Sequence, residues 1–231
     1  MNQMNQIILE GRLTKEPEQR TFGDDGVRKG ARLSLAVNRY YKNKDGEKEQ
    51  ETSYFDVEAY GPLAEKAAGA EKGKKIRVTG HAYQRTWKDE SGKTHSRIVV
   101  LADAIDFERP GLLIGNLNQI ILEGNLSEDT RQKAEGKKPA KFSIATNRSW
   151  EGNDGEWKNK ATFIDVDAFG KEGEFASGLQ KGQTVRVVGR LKQDRWIDGE
   201  GKNQAKISIT AEHVEKKREI SHKKDEPEVG R

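Results

Sequence analysis

The segment NQIILEGRL, Asn5–Leu13, returns almost unchanged later in the chain as NQIILEGNL, Asn118–Leu126. Other segments recur in the same order: Leu33–Arg39 as Phe142–Arg148, Tyr54–Gly61 as Phe163–Gly170, and Gly73–Gly80 as Gly182–Gly189. The 231 residues have room for two units of about a hundred residues each. We therefore predict two tandem copies of one domain rather than a solenoid, whose repeats are much shorter.

Domain boundaries follow from the spacing of these matches. We predict a first domain over residues 1–107, a linker over 108–116, a second domain over 117–215 and a flexible charged tail over 216–231. Pro110 and Gly111 punctuate the linker, and the tail lacks the apolar periodicity of a packed segment. The matches go out of step only between Thr14–Lys29 and Ser127–Lys138, where a polar connection tolerates a difference in length.

Alternating apolar residues predict strands in each copy. In the first copy they are Leu33, Leu35 and Val37, then Phe55, Val57 and Ala59, then Ile76 and Val78. With Asn5–Leu13 as the first strand, these runs are the second, third and fourth strands. Helix formers over Pro62–Glu71 lie between the third and the fourth, and Lys171–Gln180 is a weaker counterpart in the second copy. This order predicts an all-β protein of two tandem OB-folds, each a five-stranded Greek-key barrel with a short helix between strands three and four. An SH3-like barrel is the alternative, but it would not normally carry that helix.

The composition bears on the class of protein. The chain has no cysteine, which excludes disulfides and thiolate metal sites. No stretch approaches the roughly 20 apolar residues of a membrane span, and the first residues do not resemble a secretory signal. We therefore expect a cytoplasmic protein without membrane contact. The net charge of +4 is a small difference between 42 basic and 38 acidic residues, so it gives only weak support for a nucleic-acid partner.

Large aromatic residues occupy the polar side of the third strand in both copies. Tyr54 and Tyr60 lie among carboxylates on the side opposite the apolar residues, and Phe163 and Phe169 do the same in the second copy. Exposed apolar patches usually mark binding surfaces, and unpaired bases stack on such rings with about 1–3 kcal/mol per base. Because a duplex hides its base faces, the pattern favours a single-stranded nucleic acid.

Further aromatic residues lie beside basic residues near strand ends. They are Tyr40 and Tyr41 after Arg39, Trp150 near Arg148, Trp87 near Arg85, and Trp196 after Arg195. A ring offers a face to any base and a cation offers a charge to a phosphate, which suits unpaired nucleotides. A protein interface is the alternative, since tyrosine and tryptophan are also enriched there.

Charged residues of the same strands are interpreted as structural. Arg77 and Arg186 lie on the polar side of the fourth strand. We expect them or other cations to pair with the four carboxylates of the third strands, Asp56, Glu58, Asp165 and Asp167. No histidine, nucleophile or metal-ligand cluster lies near these carboxylates in the sequence. We therefore expect no enzyme activity, no cofactor and no metal site.

The repeated segments resemble the bacterial single-stranded DNA-binding protein family. The resemblance rests on the order and spacing of Asn5–Leu13, Glu16–Glu18, Leu33–Arg39 and Trp87–Gly92 in the first copy, and of Phe142–Trp150 and Arg195–Gly201 in the second. It implies base stacking at Tyr41, Tyr54, Tyr60 and Trp87 in the first copy and at Trp150, Phe163, Phe169 and Trp196 in the second. We assign phosphate contacts to the basic neighbours Arg39, Arg85, Arg148 and Arg195.

The resemblance also implies a role and an assembly. Family members bind and protect single-stranded DNA during replication, recombination and repair, and those with two domains per chain form homodimers with four barrels. The family typically ends in an acidic tip with a terminal Pro-Phe, which recruits replication and repair proteins, whereas this sequence ends Lys223–Arg231 without such a tip. A protein–protein module of a primosome-type assembly and an RNA-binding OB protein stay open, because stacking alone does not separate ribose from deoxyribose.

Overall fold

The computed structural model describes residues 3–22, 28–107, 116–152, 155–199 and 201–217. The first copy, called repeat one, contains β1 (Asn5–Leu13), β2 (Glu18–Phe22), β3 (Arg28–Lys42), β4 (Lys48–Tyr60), α1 (Pro62–Ala68), β5 (Lys75–Lys88) and β6 (Thr94–Phe107). The second copy, called repeat two, contains β7 (Asn118–Leu126), β8 (Ala140–Glu151), β9 (Trp157–Ala168), α2 (Gly170–Ala176), β10 (Thr184–Ile197) and β11 (Asn203–Lys216).

Each repeat closes into a barrel of five strands. In repeat one, β3 pairs antiparallel with β4 from Gly30 opposite Tyr60 to Lys42 opposite Lys48. β1 pairs with β5 and with β3, β5 pairs with β6, and a short parallel pairing of β4 with β6 closes the ring. Repeat two closes through the equivalent pairings of β7 to β11. A closed five-stranded barrel with a helix between its third and fourth strands confirms the predicted OB-fold.

The alternating apolar residues fill the barrel interiors. Leu33, Leu35, Phe55 and Val57 are fully buried in repeat one, and their counterparts in repeat two are equally buried. Burying each such side chain contributes about 1.5–3 kcal/mol. Because successive side chains of a strand point to opposite faces, this burial fixes the intervening residues on the outer face.

The fourth strand of each barrel passes very close to the last strand at a glycine. A Cβ atom at Gly80 would lie 2.2 Å from the carbonyl oxygen of Leu101, and one at Gly189 would lie 2.3 Å from that of Thr210. At both glycines the pairing with the last strand shifts its register, so that Asp103 of β6 and Glu212 of β11 are the extra residues of a β-bulge in the last strand. Beyond each bulge the two-stranded ribbon runs on to more exposed residues at its tip.

Three local features differ from the sequence prediction. β2, which pairs with β3, lies within the segment Thr14–Lys29 that was expected to be a connection, because its polar residues show no apolar alternation. α1 ends at Ala68 instead of Glu71, since Gly69 follows it as the C-cap. α2 covers Gly170–Ala176 instead of Lys171–Gln180.

The two barrels are joined edge to edge. β1 pairs antiparallel with β7, centred on Ile7 opposite Ile120, so that all strands belong to one eleven-stranded sheet. The repeat pattern alone did not predict this pairing. Among the described residues, no helix has the length and apolar character needed to cross a membrane. The predicted linker, apart from Asn116, and the predicted tail, apart from residues 216–217, lie outside the described residues.

Candidate functional site

The four aromatic residues predicted on the third strands lie on the outer face: Tyr54 and Tyr60 in β4, Phe163 in β9, and Phe169 in the extended residue that follows β9. Phe163 and Phe169 are each 47% exposed, while Tyr54 is half-buried and Tyr60 is exposed. The apolar residues between them point into the barrels, and this alternation holds the rings outside. Both repeats therefore present two rings at the same phase of the same strand.

The carboxylates between these rings are paired with cations. Asp56 accepts from Arg32 at 2.8 Å and from Arg97 at 3.1 Å, and Glu58 pairs with Arg85. In repeat two the pairs are Asp165 with Arg131 at 2.7 Å and with Lys206, and Asp167 with Lys141 at 2.9 Å. Burial raises the pKa of Asp165, but the hydrogen bonds from Lys206 and Arg131 outweigh it and leave that pKa lowered. The negative charge on the ring-bearing face is thus compensated in both repeats.

Arg77 and Arg186 pair with other carboxylates, including Glu10 on β1 and Glu123 on β7, the two strands that join the barrels. The Nε atom of Arg77 donates to Glu10 at 2.7 Å, and Arg186 donates to Glu123 at 2.6 Å and to Glu215 at 2.8 Å. The structural interpretation of both arginines is confirmed by these contacts. The four carboxylates of the third strands were expected to pair with these arginines or with other cations. They pair with the other cations, which are named in the paragraph above.

Tyr60 lies in a hydrogen-bonded network with its neighbours. Its hydroxyl donates to Glu58 at 3.0 Å, and Arg85 donates to the same hydroxyl at 2.7 Å. Burial and the negative charge of Glu58 raise the pKa of Tyr60 to about 12, so the phenol is neutral at physiological pH. Its counterpart Phe169 has no hydroxyl, so this network is specific to repeat one.

Tyr54 receives a cation from the other repeat. The guanidinium carbon of Arg195, on β10, lies 4.2 Å from the centre of the Tyr54 ring. Arg195 also donates from Nε to the side chain of Gln193 at 2.8 Å, and that side chain accepts the backbone N–H of Tyr54 at 3.3 Å. Trp196 follows Arg195 in the strand and therefore points to the opposite face, so the ring that Arg195 contacts is Tyr54.

Two glutamines form matching bridges between the repeats. Gln84 of β5 accepts the backbone N–H of Phe163 at 3.2 Å, just as Gln193 of β10 accepts that of Tyr54. Residues of both repeats, including both of these rings, line a cleft of about 530 Å³. Neither glutamine belongs to a motif that the sequence marks as functional, although their equal positions in the two repeats were a usable signal.

A larger cleft of about 810 Å³ also combines both repeats. It is lined by Tyr60 and Arg85 of repeat one and by Arg148 and Trp150, which lie on the β8–β9 hairpin of repeat two. The guanidinium of Arg148 lies 6.0 Å from the centre of the Trp150 ring. The hairpin of repeat two therefore completes the ring-bearing surface of repeat one.

A buried histidine holds Arg148 at this junction. His81 is 6% exposed, its Nε2 lies 2.6 Å from a terminal nitrogen of Arg148, and its Nδ1 lies 3.1 Å from Asp103. Because a guanidinium only donates, Nε2 must accept and the proton must sit on Nδ1. Burial lowers the pKa of His81, Asp103 opposes that change, and the charge of Arg148 reinforces it. The ring is therefore held in its neutral form.

The corresponding hairpin of repeat one carries Arg39 and Tyr41. The Arg39 guanidinium lies 4.8 Å from the centre of the Tyr41 ring, and the Tyr41 hydroxyl donates to Glu49 at 2.6 Å, which raises the pKa of Tyr41. Arg39 also lines a cleft of about 290 Å³ with Arg190 and Lys192 of repeat two. Burial and the charge of Arg39 lower the pKa of Arg190, and the three cations pair with Glu51, Glu212 and Asp194.

Trp87 and Trp196 lie near the tips of the β5–β6 and β10–β11 hairpins. They are 44% and 48% exposed. Trp87 stacks on His95 with ring centres 5.6 Å apart and an angle of 20° between the rings, and Arg97 lies 5.6 Å from its centre. One face of Trp87 is thus supported by the protein.

Another cation–ring contact across the junction was not predicted. The Nζ atom of Lys160, on β9, donates to the Tyr83 hydroxyl at 2.7 Å and lies 4.0 Å from the centre of that ring. A contact between residues so far apart in the sequence leaves no local pattern. In the part of the chain that the structure describes, no three His, Asp or Glu side chains converge in a way that could hold a metal ion.

The chain is similar in sequence and in fold to known proteins. The model of the single-strand binding protein family matches residues 4–108 and 117–216. The "Single-stranded DNA-binding protein" of Thermus aquaticus is 30% identical over 229 residues, covering 92% of this chain and 84% of that protein. The protein of the same name from Deinococcus radiodurans is 26% identical over 92% of this chain and 75% of its own length. The crystal structure of the wild-type Thermus aquaticus protein matches with a TM-score of 0.72 and 28% identity, covering 94% of this chain and 95% of that chain.

Proposed function

Since the chain belongs to the single-strand binding protein family, we propose that it binds single-stranded DNA without sequence preference and protects it during replication, recombination and repair. The proposed contacts are the rings Tyr41, Tyr54, Tyr60, Trp87, Trp150, Phe163, Phe169 and Trp196, with Arg39, Arg85, Arg148 and Arg195 as partners of phosphates.

The outer face of β4 and β9 is the observation that carries this proposal. Each strand presents two rings, and the carboxylates between them are paired with lysine or arginine. A face with rings and compensated charge suits the flat faces of unpaired bases, and each stacked base contributes about 1–3 kcal/mol. Every base has such a face, so this mode of binding does not read sequence.

Cations at the two junctions support contact with the backbone of the same DNA strand, where phosphates would replace the carboxylates that pair with Arg39, Arg190 and Lys192. Arg148 lies at one junction, and Arg39 lies with Arg190 and Lys192 at the other. Residues of both repeats line each of these two clefts. One DNA strand could therefore run from one ring-bearing face to the other. Binding through such contacts weakens as salt rises, because phosphate contacts release counterions.

The proposal includes the organisation of the chain. Residues 1–107 and 117–215 act as two DNA-binding domains, joined by the linker 108–116 and followed by the tail 216–231. The protein acts without catalysis, in the cytoplasm and on the nucleoid. Replication and repair proteins are proposed as further partners.

A homodimer with four barrels is part of the same proposal. The outer face of the joined strands β1 and β7 presents Ile8 and Ile121, both half-buried in the single chain, and neighbouring β10 adds Val188. Light scattering at micromolar concentration should give the mass of two chains, and the variant Ile8→Asp should lower it. A mass of one chain for the unmodified protein would contradict the dimer.

Titration with oligonucleotides tests the proposed function. The chain should lose tryptophan fluorescence when oligo-dT is added at low salt, and its affinity should fall as salt is raised. Oligo-U and a duplex of matched length are the comparisons. Absence of quenching by oligo-dT at low salt would overturn DNA binding, and equal affinity for oligo-U would favour the RNA alternative.

A further inference from the structure

β9 carries a third ring on its outer face, near the tip of the β8–β9 hairpin. Trp157 lies six residues before Phe163, which itself lies six residues before Phe169. An even spacing along a strand keeps the three residues at the same phase, and six residues span about 20 Å. Trp157 is 70% exposed, which makes it more exposed than either phenylalanine.

Repeat one has a lysine at the corresponding position. Lys48 is the first residue of β4 and stands six residues before Tyr54, as Trp157 is the first residue of β9. Lys48 is exposed and lies opposite Lys42 in the hairpin. The two repeats thus continue the same line of residues with different chemistry, a cation in repeat one and a ring in repeat two.

The surroundings of Trp157 are polar. Glu151 lies opposite it in the hairpin, and the next outward residue, Asn159, accepts a hydrogen bond from Ser149 at 2.5 Å. A tryptophan among such neighbours has little of its apolar surface covered, so an apolar partner would bury surface now in water. Lys158 and Lys160 alternate with Trp157 and point to the opposite face of the strand, where Lys160 donates to the Tyr83 hydroxyl.

We propose that Trp157 is an additional base-stacking position, which extends the contact of repeat two from Phe163 along the hairpin. At the matching place in repeat one, Lys48 contacts a phosphate of the same strand. This inference rests on the proposed binding of single-stranded DNA. It predicts that DNA binding at the β8–β9 hairpin of repeat two depends less on salt than DNA binding at the β3–β4 hairpin of repeat one.

A variant with Trp157 as its only tryptophan tests this directly. Trp87→Phe, Trp150→Phe and Trp196→Phe keep a ring at each replaced position. A dye-labelled oligo-dT of about 30 nucleotides covers two barrels, since one OB-fold occupies up to about 16. Quenching of Trp157 on binding supports the inference. An unchanged Trp157 signal, while dye anisotropy shows the oligonucleotide bound, would overturn it.

The labelled oligonucleotide separates the two proposals. If dye anisotropy shows no binding to the unmodified chain, the proposed function fails. If the unmodified chain binds and only Trp157 in the variant is silent, the extra stacking position fails alone.

Exchanging the two residues gives a second, independent readout. Trp157→Lys should weaken binding about fivefold, the lower end of the range for one stacked base. It should also steepen the slope of log affinity against log salt by about 0.7, the value for one phosphate contact on a single strand. Lys48→Trp should change the slope in the opposite direction.

Phe175→Ala is the matched control for Trp157→Ala. Phe175 is also an exposed ring of repeat two, but it lies on α2, off the outer face of β9. Trp157→Ala should weaken binding and Phe175→Ala should leave it unchanged. Equal affinities of the two variants would overturn the inference.

Discussion

The outer faces of β4 and β9 place their rings at the same positions but hold them differently. On β4, Tyr54 lies under Arg195 of the other repeat, and Tyr60 is bonded to Glu58 and Arg85. Phe163 on β9 and Phe169 directly after it have no hydroxyl that could form such a hydrogen bond, and both rings are about half exposed. The same fold and the same strand phase thus produce one restrained face and one open face.

The difference has a consequence for binding. A cation over an aromatic ring contributes about 0.5–1 kcal/mol at an exposed site and about 2 when it is shielded from water. A base that stacks on the covered side of Tyr54 must displace Arg195, whereas a base on Phe163 meets an open ring. We therefore expect repeat two to supply more of the stacking energy, and the displaced Arg195 to become available for a phosphate.

Paired alanine substitutions should show the largest effect. Phe163→Ala with Phe169→Ala removes two stacked bases and should weaken oligo-dT binding by about 2–6 kcal/mol. Tyr54→Ala with Tyr60→Ala should cost less, because those rings give up protein contacts when they bind DNA. Fluorescence titration at fixed salt measures both, and a larger loss for the tyrosine pair would refute the ranking.

The two hairpin tryptophans should show the next largest effect. Trp87→Ala and Trp196→Ala should each weaken binding by about 1–3 kcal/mol. Trp87 should contribute more, because its stack on His95 fixes the ring before DNA arrives. In a His95→Ala background, the loss of affinity caused by Trp87→Ala should shrink toward the loss caused by Trp196→Ala. Wild-type affinity in both tryptophan variants would show that these rings are not stacking sites.

The junction of His81 and Arg148 should make stability depend on pH. Burial lowers the pKa of His81 below its ordinary value of 6.5 in the folded chain, so the unfolded chain binds more protons. The free energy of unfolding should therefore fall as the pH drops below 6.5 and through the folded-state pKa. The groups that face the ring are Asp103 on β6, which opposes this change, and Arg148 on β8, which adds to it.

Urea denaturation at a series of pH values measures this effect. His81→Gln keeps a polar group but cannot titrate, so the fall in stability between pH 6.5 and 5 should shrink in that variant. The matching position in repeat two is Arg190, which does not titrate in this range. An unchanged pH profile in His81→Gln would rule out the histidine as its source.

Tyr60→Phe should have the smallest effect, because it gives repeat one the ring that repeat two already has. Loss of the hydroxyl contacts should lower the free energy of unfolding by about 0.5–1.5 kcal/mol and leave stacking nearly unchanged. In an alkaline absorbance titration, the phenolate signal that disappears should be the one near pH 12. Loss of a signal near pH 10 instead would show that the network with Glu58 and Arg85 does not form.

Much of the fold follows from local pattern. The alternation of apolar and polar residues identified the buried side of β3 and β4, because apolar residues such as Leu35 and Val57 all face the barrel interior. β2 escaped detection because it pairs at an edge through its backbone and has no apolar side to reveal it. Gly69 ended α1 earlier than the run of helix formers indicated.

The site was only partly predictable for a related reason. The phase of Tyr54 and Phe163 could be read from strand alternation within one repeat. The contacts of Arg195 with Tyr54 and of His81 with Arg148 join the two repeats. They depend on the pairing of β1 with β7, which no local periodicity specifies.

The central claim is that the ring-bearing faces of both repeats hold the same DNA strand. The number of nucleotides that one chain occupies tests this claim. Oligo-dT of increasing length is titrated against the unmodified chain, the Phe163→Ala/Phe169→Ala variant and the Tyr54→Ala/Tyr60→Ala variant. Each variant should occupy fewer nucleotides than the unmodified chain, because one face no longer stacks. An occupied length that is the same in all three would contradict the account.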